Sequence, residues 1–216
     1  MKDIDSIFLD FDGVILESVD VKGWAFGKLF EDYPEHVDEI VAFHHANGGM
    51  SRFDKFRFIY KEMLKEPLSN KKFELLCDHF SKLVYERVLK CDFVPGALEF
   101  LKKYHKIFHM FIISGTPHDE INRIVIDKGL SGFFEGVFGS PATKSYWAQK
   151  IIEEKKWDAN RILFIGDAIS DYRAAFENNI TFVARVTDGR DIFEGEKVNW
   201  RIRDFFELER LLNMEN

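Results

Sequence analysis

Short apolar runs that each stop at a polar turn, alternating with stretches of helical period, constrain this chain more than any other feature. Residues 4–9 stop at Asp10-Phe11-Asp12-Gly13, residues 107–113 at Ser114-Gly115, residues 136–138 at Gly139-Ser140-Pro141 and residues 162–165 at Gly166-Asp167. A fifth run, 180–183, follows an asparagine pair. Helical periods fill the intervals, over 95–104, 117–126, 145–155 and 169–178. Strands separated by helices must be joined by crossovers, which predicts a doubly wound, mostly parallel, Rossmann-like α/β sheet covered on both faces.

One stretch breaks the alternation. Residues 17–90 contain no convincing strand, whereas Phe53, Phe56, Tyr60, Met63 and Leu64, and then residues 73–88, keep the period of amphipathic helices. The expected organisation is therefore an α/β core of residues 1–16 and 91–216 around an all-helical insertion, 17–90. With 23 phenylalanines among 216 residues, the aromatic content is read as packing. The two cysteines, Cys77 and Cys91, lack the spacing of a metal or redox site, and Cys77 falls on the apolar side of a helical pattern.

Ligands of open α/β sheets bind beyond the carboxyl ends of the strands, so the residues after each run are the ones to inspect. They are Asp10 and Asp12, Ser114, Lys144, and Asp167 with Asp171. Singly, each is ordinary turn or cap chemistry. Together, carboxylates 10, 12 and 167 at neighbouring strand ends would repel by about 4 kcal/mol per pair near 4 Å at an effective dielectric of ~20. A cation must offset this. Ligands that are all oxygen indicate a hard ion, and Mg²⁺ partly bound by a substrate phosphate fits better than a Ca²⁺ cage. Ser114-Gly115-Thr116-Pro117 reads as a strand end with Thr116 as N-cap and Pro117 opening a helix, whose free amides would face an anion. Lys144, at a helix start, suits neutralisation of a phosphate.

In order along the chain, Ile7-Phe8-Leu9-Asp10-Phe11-Asp12-Gly13-Val14, Ile112-Ile113-Ser114-Gly115, Lys144 and Gly166-Asp167 through Asp171 resemble the four motifs of haloacid dehalogenase superfamily phosphatases. The helical insertion after the first motif resembles the C1 cap of the phosphoglycolate phosphatase and β-phosphoglucomutase-like branch. The resemblance implies a phosphatase in which Asp10 is the nucleophile that forms an aspartyl-phosphate, and Asp12 the general acid and base. It also implies that Ser114, Gly115 and Lys144 bind the phosphoryl oxygens. Asp10, the Asp12 backbone carbonyl and Asp167 would hold Mg²⁺, with Asp171 ordering the metal shell or binding the ion.

Halide-releasing and phosphonatase-like relatives lack the second motif-one acid, so Asp12 argues against both. A phosphosugar mutase shares every motif and is the alternative reading; a phospho-ligand-binding protein without catalysis is a more distant one. Within the insertion, Gly49-Met50-Ser51-Arg52 resembles a segment whose arginine contacts substrate in mutase-like members. Arg52 is therefore the specificity candidate, although Ser51 as an N-cap would equally put Arg52 at a solvent-facing helix start. His44 and His45 are read as structural. The expected substrate is a small phosphorylated metabolite: a sugar, polyol or glycolate phosphate. Thirty basic against 37 acidic residues give a net charge of −7, which disfavours nucleic acid as a partner. No apolar run approaches a membrane span or a secretory segment, so a cytoplasmic location is expected. The sequence does not separate a monomer from a homodimer.

Overall fold

A computed structural model of the chain describes residues 4–47, 50–187 and 191–213. All four residues of β1 (Ser6–Leu9) are buried, as a short apolar run does when its strand is covered on both faces. It is joined by β2 (His109–Pro117), β3 (Gly136–Ser140), β4 (Ile162–Gly166), β5 (Thr181–Arg185) and β6 (Trp200–Ile202). The sheet is parallel throughout, in the order β3-β2-β1-β4-β5-β6. Five of the strands carry the apolar runs seen in the sequence. The sixth is three residues long with Arg201 exposed, so no run marks it.

Between β1 and β2 lie α1 (Val19–Leu29), α2 (Val37–Ala46), α3 (Arg52–Phe58), a π-helical turn at Ile59–Met63 and α4 (Asn70–Lys90). No strand occurs among the described residues of 17–90. α5 (Ala97–Tyr104) also precedes β2, and after it come α6 (His118–Asp127), α7 (Lys144–Lys155), α8 (Ile169–Glu177) and α9 (Phe205–Asn213). No helix among the described residues is long and apolar enough to cross a membrane.

Side chains of a strand alternate between its faces, and β1 uses both. Phe8 packs with Phe111 and Phe164 beneath Ala148 of α7 and Ala174 of α8. Ile7 and Leu9 point the other way, with Leu101 of α5, Ile121 of α6 and Leu208 of α9. The helices between β1 and β2 close around an aromatic centre, with Phe26 ring centroids 5.7 Å from Phe56 and 4.9 Å from Phe80. Ser51 caps α3 as its position suggests, accepting the Asp54 N–H at 3.2 Å. Gly49 of the motif beside it lies outside the described residues. The chain leaves and re-enters the sheet side by side: Glu17 N–H donates to the Asp92 carbonyl and Val94 N–H to that of Ile15, each at 3.0 Å.

Candidate active site

From β1 the chain passes to β2 on one side, whereas β4 lies on the other, so the connections diverge and leave a crevice beyond their carboxyl ends. Leu9 pairs with Ile165, and the Asp10 N–H donates to the Ile165 carbonyl at 3.0 Å. The residues that follow each strand, Asp10 and Asp167, therefore emerge together. Two glycines make room for them. Gly13 turns the loop with φ +74°, and a Cβ there would lie 2.1 Å from an Asp167 carboxylate oxygen. A Cβ on Gly166 would lie 2.2 Å from that of Asp171.

Carboxylate oxygens of Asp10, Asp167 and Asp171 lie within 4.8 Å of one another. Lys144, the first residue of α7, sends its ammonium among them, 2.7 Å from Asp10 Oδ2 and 2.6 Å from Asp171 Oδ1. The remaining oxygens of both acids accept backbone N–H groups, Asp10 Oδ1 from Phe11 at 2.7 Å and Asp171 Oδ2 from Ala168 at 3.1 Å. Burial opposes the charge on Lys144, but Asp10 and Asp171 outweigh it and hold the ammonium firmly protonated. Burial pushes the Asp171 carboxyl up to about 7 despite Lys144. Asp167 is displaced well upward by burial and by the charges of Asp10 and Asp171. Its carboxylate has no hydrogen bond or ion pair among the described residues.

One ammonium against three carboxylates leaves the cluster negative, and the unmatched donor is an oxygen. A hard divalent cation such as Mg²⁺ fits this set. Asp167→Asn is therefore expected to raise the melting midpoint of EDTA-treated protein, by on the order of 1 kcal/mol or a few degrees. Any stabilisation that millimolar Mg²⁺ confers on the unaltered chain should be lost in that variant. Calorimetric melts with and without the cation check both, and an unchanged Mg²⁺ response would remove Asp167 from the metal set.

The Asp12 side chain does not join this cluster. It turns to the helical segment, where Lys22 of α1 binds its Oδ2, Ser18 donates to Oδ1 at 2.5 Å and Thr116 donates to Oδ2 at 3.0 Å. Burial alone would raise this carboxyl, but the Lys22 ammonium and these hydrogen bonds prevail and hold it below the usual range. Thr116 is thus no N-cap. β2 runs on through Pro117, which pairs with Ser140, so the Thr116 hydroxyl stays on the strand facing Asp12. Pro117 takes the cap position and α6 begins at His118.

A cavity of about 460 Å³ separates the strand ends from the helices above. Asp10, Asp12, Gly115 and Asp167 line its floor, and Lys22, His44, Arg52 and Lys55 its roof. Ser114, Lys144 and Asp171 are not on its walls; they are buried behind them, with the Ser114 hydroxyl accepting the Thr116 N–H at 3.1 Å. Arg52 does open a helix, but it is not solvent-facing. Its guanidinium lies 4.6 Å from the Phe80 ring centroid and grips both carboxylate oxygens of Glu120 on α6, at 2.9 and 2.5 Å, and Ser81 at 2.7 Å. That bridge ties α3 to α6, the helix that follows β2.

His44 stacks on Phe26 at 4.6 Å, and its Nδ1 lies 2.9 Å from the Lys55 ammonium. Burial, and then Lys55, push the imidazole down to about 2 from an ordinary 6.5. Folded His44 stays neutral where the unfolded chain takes up a proton, so its stabilising contribution is complete above pH 6.5 and is lost as pH falls below it. Below that pH the unaltered protein should lose up to about 1.4 kcal/mol per pH unit relative to His44→Phe, as urea unfolding from pH 6 to 4 would read. Parallel pH profiles would contradict a neutral His44.

Lys22, Lys55 and Arg185 were not legible as site residues. Arg185, at the end of β5, holds the first turn by donating to the Gly13 carbonyl at 3.0 Å while pairing with Glu17. Lys22 follows Asp12 by ten residues on an amphipathic helix, where nothing local separates it from a surface lysine.

The sequence profile of the haloacid dehalogenase-like hydrolases matches residues 7–185. A HAD-hydrolase of Bacillus subtilis, YfnB, is 24% identical over 236 residues, covering 100% of this chain and 98% of its own. Its magnesium-bound crystal structure superposes with a TM-score of 0.73 at 20% identity over 98% of this chain and 100% of that one. A protein of Haemophilus somnus assigned as a phosphoglycolate phosphatase gives 0.76 at 16% identity, covering 99% and 100% of the two chains. One of Bacteroides vulgatus assigned as a β-phosphoglucomutase gives 0.77 at 14%, covering 99% and 89%. At such identities the structural likeness is one of fold, and it extends over the helical insertion as well as the sheet.

Proposed function

Because the chain belongs to the haloacid dehalogenase-like hydrolases, we propose that it is a Mg²⁺-dependent phosphatase acting on a small phosphorylated metabolite, such as a sugar, polyol or glycolate phosphate. The observation that supports this most directly is the gathering of Asp10, Asp167 and Asp171 around the Lys144 ammonium at the ends of β1 and β4.

In this reading Asp12, ionised in the free protein, takes up a proton as the phosphate ester binds; a carboxylate oxygen of Asp10 then attacks phosphorus, the bond to the ester oxygen breaks, and the leaving alkoxide takes that proton from Asp12. Asp12, now a carboxylate, then takes a proton from water as that water attacks the aspartyl-phosphate, releasing inorganic phosphate and restoring Asp10. Lys22 favours the ionised form of Asp12 that the second step needs. Lys144 holds the Asp10 carboxylate in place through their ion pair, and with Ser114 and Gly115 is assigned to the phosphoryl oxygens. Mg²⁺, held by Asp10, Asp167, the Asp12 backbone carbonyl and Asp171 either directly or through water, would neutralise charge on the phosphoryl group. Residues 17–90 would act as a cap over a core of residues 1–16 and 91–216, shutting out bulk water and admitting only small substrates.

Incubation with Mg²⁺ and a panel of phosphate monoesters should release inorganic phosphate, and EDTA should stop it. Undiminished release under chelation would defeat the metal role. Interconversion of sugar phosphate isomers without net release would make the protein a mutase.

A further inference from the structure

We propose that the roof of the cavity binds a second anionic group of the substrate at the Lys55 ammonium, so that the substrate is a phosphate monoester that also carries a carboxylate or a second phosphate. This rests on the phosphatase reading above, and it names the class of ester.

Among the described residues, every other lysine and arginine at the crevice already faces an acid. Arg52 grips Glu120, Arg185 pairs with Glu17, Lys22 binds Asp12, and Lys144 lies between Asp10 and Asp171. Lys55 does not. It is only 3% exposed, and its ammonium contacts the His44 Nδ1 at 2.9 Å and the His44 carbonyl at 3.2 Å, with the Phe26 ring centroid 5.7 Å away. No carboxylate lies within ion-pair distance of it among the described residues. An ammonium buried without a counter-ion is costly, and a neutral imidazole offsets only part of the cost.

The electrostatic strain shows in the group itself. Burial, and then the nearby Lys22 ammonium, push the Lys55 amine down to about 7. A negative group lodged beside it would offset both effects. Asp10, Asp12 and Asp167 crowd the strand ends, Lys55 lies across the cavity on α3, away from Glu17 and from Asp20 of α1, and Phe26 and Phe80 form apolar wall. A ligand lying across the cavity would set its phosphoryl group on the floor beside the metal, its carbon chain along the rings and its second anion at Lys55.

Phosphonates test this without turnover, since their carbon–phosphorus bond is not the ester bond a phosphatase cleaves. With Mg²⁺ present, the full chain would be titrated calorimetrically with short ω-phosphonocarboxylates, alkane bisphosphonates and alkylphosphonates of matched length. One of the two dianionic series should bind about tenfold tighter or more than the alkylphosphonates, and the tighter series identifies the anion. Lys55→Met should bring that ratio close to one, and Lys55→Arg should keep part of it, with melting curves confirming that both variants fold. Equal affinities in the unaltered protein, absence of binding by all three series, or a ratio untouched in Lys55→Met would each overturn the assignment. Preferential binding without hydrolysis of the matching esters would instead defeat the phosphatase reading and leave the anion site standing. Hydrolysis of esters with no preference for the anionic ones would do the reverse.

Discussion

Asp10→Asn should lower phosphate release by about 10⁴-fold or more while leaving the melting midpoint unchanged or higher. The amide keeps the shape of the carboxylate and can still accept the Phe11 N–H, so the turn after β1 is preserved. What disappears is the attacking oxygen anion and, with it, the charge that Asp10 adds to a cluster of three carboxyl groups crowded within 4.8 Å. Relief of that repulsion offsets the loss of the ion pair to Lys144, 2.7 Å away. Activity and stability should therefore part company. Phosphate release measured against a panel of esters, alongside calorimetric melting, reads both; substantial residual activity in a folded variant would dismiss Asp10 as the nucleophile.

Lys144→Met should damage both properties at once. Its ammonium is the counter-ion that Asp10 and Asp171 share, and removing one member of a buried ion pair costs about 3–5 kcal/mol because the partner charges remain. Activity should fall by roughly 10²–10³-fold with the loss of a preorganised positive group beside the transferring phosphoryl. The stability loss should depend on pH with a definite sign. The Asp171 carboxyl, already raised to about 7, rises further without Lys144, and a carboxyl whose folded pKa exceeds the unfolded value stabilises the protein below it and loses that effect as pH increases. The destabilisation of Lys144→Met should thus be largest near pH 8 and shrink toward pH 5. Urea titrations at the two pH values would show it, and an equal loss at both would mean that the carboxylates do not need this counter-ion.

The strand ends were legible because the signal is local. A buried parallel strand is a short apolar run, and the run 4–9 needs no knowledge of the rest of the chain to be seen stopping at Asp10. The amphipathic period that marked residues 53–64 and 73–88 is equally local, and Phe56 and Phe80 do meet, with ring centroids 5.8 Å apart. Thr116 and Pro117 show where local reading fails. The two residues have the chemistry of a helix start, but β2 gains a further pairing with β3 at Ser140, so the strand persists and the hydroxyl is redirected to Asp12.

Arg52 and Lys22 owe their positions to partners much farther along the chain. Arg52 was marked by a motif, yet its bidentate contact, Glu120, lies 68 residues away on another element. Lys22 touches Thr116 across 94 residues and Asp12 across ten. Order along the chain was enough to say that β1 and β4 each end in an acid beside a sheet crevice, because strand periodicity and turn chemistry are written within a few residues. Which acids meet, which cation each one faces and which ammonium is left without an anion were decided only when the helices folded over the strand ends. Those pairings depend on Coulomb energy between groups that are brought close by packing and carry no periodicity of their own.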